Sequence, residues 1–109
     1  MERAVATLLG FPEVVEVEWR GNRTFMVGRR SFAGVDEAGI ACRSDKEERP
    51  ALLQRPWYTA PPFVARYGWI GIRFDLVDDW GEVAELLETA YRITAPKRLV
   101  RQLDELSST

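Results

Sequence analysis

The chain has 109 residues, 46% hydrophobic and 29% charged, the make-up of one soluble globular domain with a single core. Its formal net charge of −2 argues against a uniformly basic, DNA-coating protein, so any nucleic-acid contact must come from a local patch. One cysteine, Cys42, and no histidine exclude an intramolecular disulfide, a cysteine-rich or histidine metal site and the commonest general base.

Residues 2–10 (ERAVATLLG) carry Val5, Leu8 and Leu9 at helical spacing and end at Gly10–Phe11–Pro12, which predicts a short helix. The period then changes to two. In VVEVEWR, Val15, Val17 and Trp19 share one face and Glu16, Glu18 and Arg20 the other, predicting a half-buried strand. Its partner TFMV offers Phe25 and Val27. A three-residue loop, Arg20–Gly21–Asn22, pairs Val17 with Phe25 and Val15 with Val27, keeping the apolar faces together, with Asn22 in the left-handed conformation. Gly28–Arg29 suits a type II′ turn that sets Phe25 opposite Phe32. A strand near 39–43 (GIACR) completes a meander of about four antiparallel strands.

Ser44–Asp45–Lys46–Glu47 has the capping-box pattern and predicts a helix start, with Pro50 forcing a break or a restarted turn. The aromatic-proline stretch RPWYTAPPFVARYG reads as irregular. WIGIRF is a strand with Ile70, Ile72 and Phe74 inward and Trp69, Gly71 and Arg73 outward. Asp79 caps a long helix with Val83, Leu87, Ala90 and Tyr91 on its apolar stripe and Glu82, Glu85 and Glu88 towards solvent; Pro96 opens a last helix bearing Leu99, Val100, Leu103 and Leu106. The fold class is α+β in two layers: an antiparallel sheet of about five strands with helices on one face, as one domain over 1–109.

No catalytic constellation emerges. Cys42 falls in a predicted strand without a histidine partner, and the paired carboxylates sit at helix starts, a turn or a solvated tail. No phosphate-cradling glycine loop or spaced set of oxygen ligands is present, so no cofactor or metal is expected. No apolar run is long enough to span a membrane and the N-terminus lacks a signal-peptide pattern, which makes the cytoplasm the expected compartment. Three surfaces remain as candidates: the arginine-tipped turns in WRGNRTFMVGRRS, the cluster Lys97, Arg98 and Arg101, and a stacking platform of Trp69 and Arg73. A solvated hairpin paired with Glu16 and Glu18 accounts for the same arginines structurally.

Taken in order, LLGFPEVVEVEW, TFMVGRRSFA, ERPALL, YGWIGIRFD and ETAYRITAPK resemble the MmcQ/YjbR family of small bacterial proteins, and the resemblance runs through most of the chain. The family's hairpin usually shows Gly-Gly-Lys where this chain has Gly28–Arg29–Arg30, a change that keeps the charge. A histidine-type position before the tryptophan strand is not filled by histidine here, so any role attached to it lapses. The resemblance implies a two-layer α+β fold, similar to secretion-chaperone-like proteins, and DNA binding through a double wing at residues 20–23 and 28–31. The expectation is a non-enzymatic cytoplasmic protein whose Arg20, Arg23, Arg29 and Arg30 contact DNA phosphates, helped by Lys97, Arg98 and Arg101. The rival is a protein-interaction or adaptor module, or a small-ligand domain, using the 56–69 loop, with Trp57, Tyr58, Tyr67, Trp69 and Arg73 as stacking or pocket residues.

Overall fold

Strand alternation sets out the architecture. In the structure, a computed structural model that describes residues 1–59 and 68–107, a helix α1 (Glu2–Leu9) is followed by the meander β1 (Val15–Trp19), β2 (Asn22–Val27), β3 (Arg30–Val35) and β4 (Gly39–Arg43). A one-turn helix α2 (Arg49–Leu52), a two-residue strand β5 (Tyr58–Thr59) and β6 (Trp69–Arg73) come next, then a 3-10 turn at Phe74–Leu76 and helices α3 (Trp80–Thr94) and α4 (Lys97–Ser107). The strands form one antiparallel sheet of six in the order β1-β2-β3-β4-β6-β5. The α+β class holds, and the sixth strand is β5, too short to leave a periodic signal.

Helix α3 lies across β3 and β4, and α1 packs on α3. Between these layers sit Phe25, Phe32, Cys42, Ile70, Leu87 and Tyr91, all inaccessible to solvent. Tyr91 ties the layers together: its ring meets Phe11 and Phe32 at 5.0 and 5.8 Å, and its hydroxyl donates to the Pro12 carbonyl at 2.8 Å. Asp79 caps α3 as expected, accepting from the Gly81 and Glu82 amides at 3.0 and 3.3 Å. On α4, Leu99 and Leu103 reach the core, whereas Leu106 is 59% exposed.

The first hairpin departs from expectation. Its loop is the two residues Arg20 and Gly21, both with positive φ (52° and 82°), and Trp19 pairs with Asn22. This is a type I′ turn, whose twist matches that of the flanking strands. The register therefore sets Glu16 opposite Phe25 and Val15 opposite Met26, one residue away from the apolar-to-apolar pairing. Because side chains alternate, the slip sends Val15, Val17 and Trp19 to the face away from the helices, where they are 58%, 38% and 61% exposed. The expected half-buried strand has no buried residue. The physical reason is reach: the core ends at β2, and at the edge strand β1 there is little apolar surface to enforce the other register.

The second turn has Gly28 and Arg29 both at positive φ (58° and 70°), so it too is type I′ rather than II′. An irregularity between Phe25 and Met26 pairs Phe25 with Ala33 instead of Phe32, and both phenylalanines stay buried. The capping-box helix does not start at Ser44. The Ser44 hydroxyl donates to the Gly68 carbonyl at 2.9 Å, and the helix is the short turn around Pro50.

Candidate nucleic-acid interface

The two arginine turns sit at opposite ends of β2, whose six residues span roughly 20 Å. They form no common tip. Arg23 belongs to the fold: its Nε and Nη2 donate to both oxygens of Glu16 at 2.6 and 3.0 Å, and Nη1 reaches Glu2 at 3.4 Å. Those hydrogen bonds hold the Glu16 carboxyl below, and the Arg23 guanidinium above, their ordinary values. Arg20 folds back over Trp19, its guanidinium carbon 4.7 Å from the ring centre.

At the other end, Gly28 lies against Pro96; a Cβ on Gly28 would stand 3.1 Å from the proline ring. The contact brings the turn carrying Arg29 and Arg30 to the start of α4, which carries Lys97, Arg98 and Arg101. Arg98 is spoken for. Its fork donates to both oxygens of Glu13 at 2.9 and 3.2 Å, which depresses the carboxyl and raises the guanidinium. Arg29, Arg30, Lys97 and Arg101 are exposed and make no ion pair among the described residues. Arg43 stands close enough to Arg30 that burial and then the Arg30 charge lower its guanidinium from its ordinary value.

Trp69 and Arg73 point outward from β6 as expected, on the open face of the sheet. Trp69 is half-buried beneath the Arg43 guanidinium, 5.3 Å from the ring centre, and Arg73 pairs with Asp75 at 2.8 Å. Trp57 and Tyr58, expected as stacking or pocket residues, are instead core: they are 2% and 4% exposed and stack on each other at 4.8 Å. Tyr58 pairs with Ile72 on the helix side, and burial pushes its hydroxyl up to about 12. Tyr67, and with it most of the aromatic-proline loop, lies outside the described residues. Sequence reasoning passed over Trp19 and Arg43 as surface residues. The alternation in GIACR, with Ile40 and Cys42 inward, already implied Arg43 outward.

Among the described residues no group of three or more carboxylates, cysteines or histidines is placed to hold a metal, and no helix is long and apolar enough to cross a membrane. Burial pushes the Cys42 thiol up to about 12, which keeps it protonated. Fold and surface together define a class: a small α+β domain with helices on one face of its sheet, no helix of the described residues on the other, and a basic corner beside it. The chain belongs to the YjbR family, whose model, described as YjbR, matches residues 9–93. No curated protein and no solved structure matches it.

Proposed function

We propose that this protein is a non-enzymatic nucleic-acid-binding domain that engages the phosphate backbone at the corner formed by the 28–30 turn and the start of α4. The observation that carries the reading is the seating of Gly28 on Pro96, which brings the turn of Arg29 and Arg30 to Lys97, none of the three having a carboxylate partner among the described residues. Arg101, one helical turn beyond Lys97, extends the same cationic edge. The wing expected at 20–23 contributes less, because Arg23 is held by Glu16 and Glu2. The acidic positions Glu82, Glu85 and Glu88 lie on α3 at least eight residues before Pro96, and Glu82 is paired with Arg55 at 3.1 Å. Phosphate contacts of this kind position a protein on DNA without reading sequence.

The test is an electrophoretic shift or anisotropy titration of a random duplex at low salt. Arg29→Glu with Arg30→Glu should weaken binding more than tenfold while leaving the melting temperature unchanged, since both side chains are solvent-exposed. Absence of binding by the wild type to any duplex or single strand would end the proposal.

A further inference from the structure

The open face of the sheet has a chemistry of its own. A row of small side chains runs across it, Thr24, Gly34, Ala41, Gly71 and Thr59, paired one with the next through the strand registers. They floor a groove of about 510 Å³ with Trp19 at one corner and Trp69 at the other. The two tryptophans lie on opposite sides of that row, so the groove runs diagonally across the strands. Each carries an arginine against its ring, Arg20 on Trp19 and Arg43 on Trp69. None of the strand residues directed to this face is a carboxylate: Glu16, on β1, points to the helix side with Arg23 and Phe25. Asp36 at the groove's mouth accepts from the Ala38 and Gly39 amides, and Asp75 is paired with Arg73.

We infer that this face is a stacking platform for the unpaired bases of a single strand, with Trp19 and Trp69 as the base-stacking residues. The inference rests on the nucleic-acid reading above and adds the strandedness of the ligand. Duplex bases present only their edges, whereas unpaired bases offer the flat faces that an exposed indole stacks upon. Small residues between the tryptophans let a chain approach the sheet backbone. Arg20 and Arg43, already stacked, supply positive charge beside each ring for the phosphates that accompany the bases. An apolar peptide would use the valines and the tryptophans but leave these arginines without counter-charge, so charge complementarity favours a polyanion. The charge of Arg30, in the second turn, also acts on Arg43.

The experiment titrates the intact protein with an oligothymidylate of about ten nucleotides and with a duplex of equal length, reading tryptophan fluorescence and anisotropy. Oligothymidylate should quench the fluorescence, and Trp19→Ala and Trp69→Ala should each weaken its binding roughly tenfold, with little effect on the duplex. Trp69 is half-buried, so Trp69→Phe provides the control: it keeps an aromatic face and should restore most of the affinity. Duplex binding that depends on Arg29 and Arg30, with no quench by oligothymidylate, overturns this inference and leaves the nucleic-acid reading standing. Failure to bind either ligand overturns both. Self-association abolished by Trp19→Ala, together with no oligothymidylate binding, would assign the face to a second copy of the chain and overturn the inference as well.

Discussion

At the scale of single residues, the candidate arginines divide by their partners. Arg23 and Arg98 hold carboxylates in forked hydrogen bonds and serve the fold, whereas Arg29 and Arg30 at the second turn make no ion pair among the described residues. The forks have a consequence for acid stability. The Arg23 hydrogen bonds depress the Glu16 carboxyl in the folded chain below the ordinary 4.5. A carboxyl lowered on folding contributes stability that is complete above its unfolded value and is lost as pH falls through the folded one. Glu16→Gln should therefore lower the melting temperature near neutrality and flatten its decline below about pH 4, where the two curves converge. Parallel curves over that range would show that the pair contributes no pH-dependent stability. The same variant should leave nucleic-acid affinity within about threefold, because Arg23 stands outside the proposed contact surface.

At the scale of elements, close approaches of backbone to backbone decide what the sheet tolerates. A Cβ on Gly39 would overlap the Ile72 carbonyl oxygen, between the paired strands β4 and β6, where neither backbone can yield. A Cβ on Gly34 would meet nothing closer than the Arg23 carbonyl oxygen at 3.9 Å. Gly39→Ala should cost about 1–3 kcal/mol in denaturant unfolding, and Gly34→Ala should stay within about 0.5 kcal/mol. Equal effects would mean that β4 and β6 can separate at Gly39 to admit a side chain. These elements also show where sequence reasoning reached and where it stopped. The alternation in WIGIR, the Asp79 cap and the stripe of α3 are local signals backed by a deep core, and each is observed, whereas Phe74, expected inward on the same strand, instead begins the 3-10 turn. The β1–β2 register is not local in that sense: a one-residue choice depends on whether helices cover the edge strand, which β1 itself does not encode. The Ser44 capping pattern lost to a tertiary partner, the Gly68 carbonyl. Trp57 and Tyr58 looked like surface aromatics because the proline-rich context hid the short pairing of β5 with β6.

At the scale of the whole molecule, an acidic chain carries Arg29, Arg30, Lys97 and Arg101 at one corner with no ion pair among the described residues, and Arg20 and Arg43 against the tryptophans of one sheet face. The sequence made the four hairpin arginines legible, yet their division into structural and available ones needed the positions of Glu2, Glu13 and Glu16. The turn at Gly28 meets Pro96 across most of the chain length, a juxtaposition no spacing rule reveals. Such a surface should bind weakly and with strong dependence on salt, because affinity comes from releasing counterions at a few phosphates. The most direct measurement is the salt dependence of duplex binding for the wild type and for Arg29→Glu with Arg30→Glu. Four contacts from Arg29, Arg30, Lys97 and Arg101 predict that log K falls with log salt at a slope of about −3 to −4, shallower by about 2 in the double variant. Binding with a slope near zero, or a slope that the double variant leaves unchanged, would contradict the assignment of this corner to the phosphate backbone.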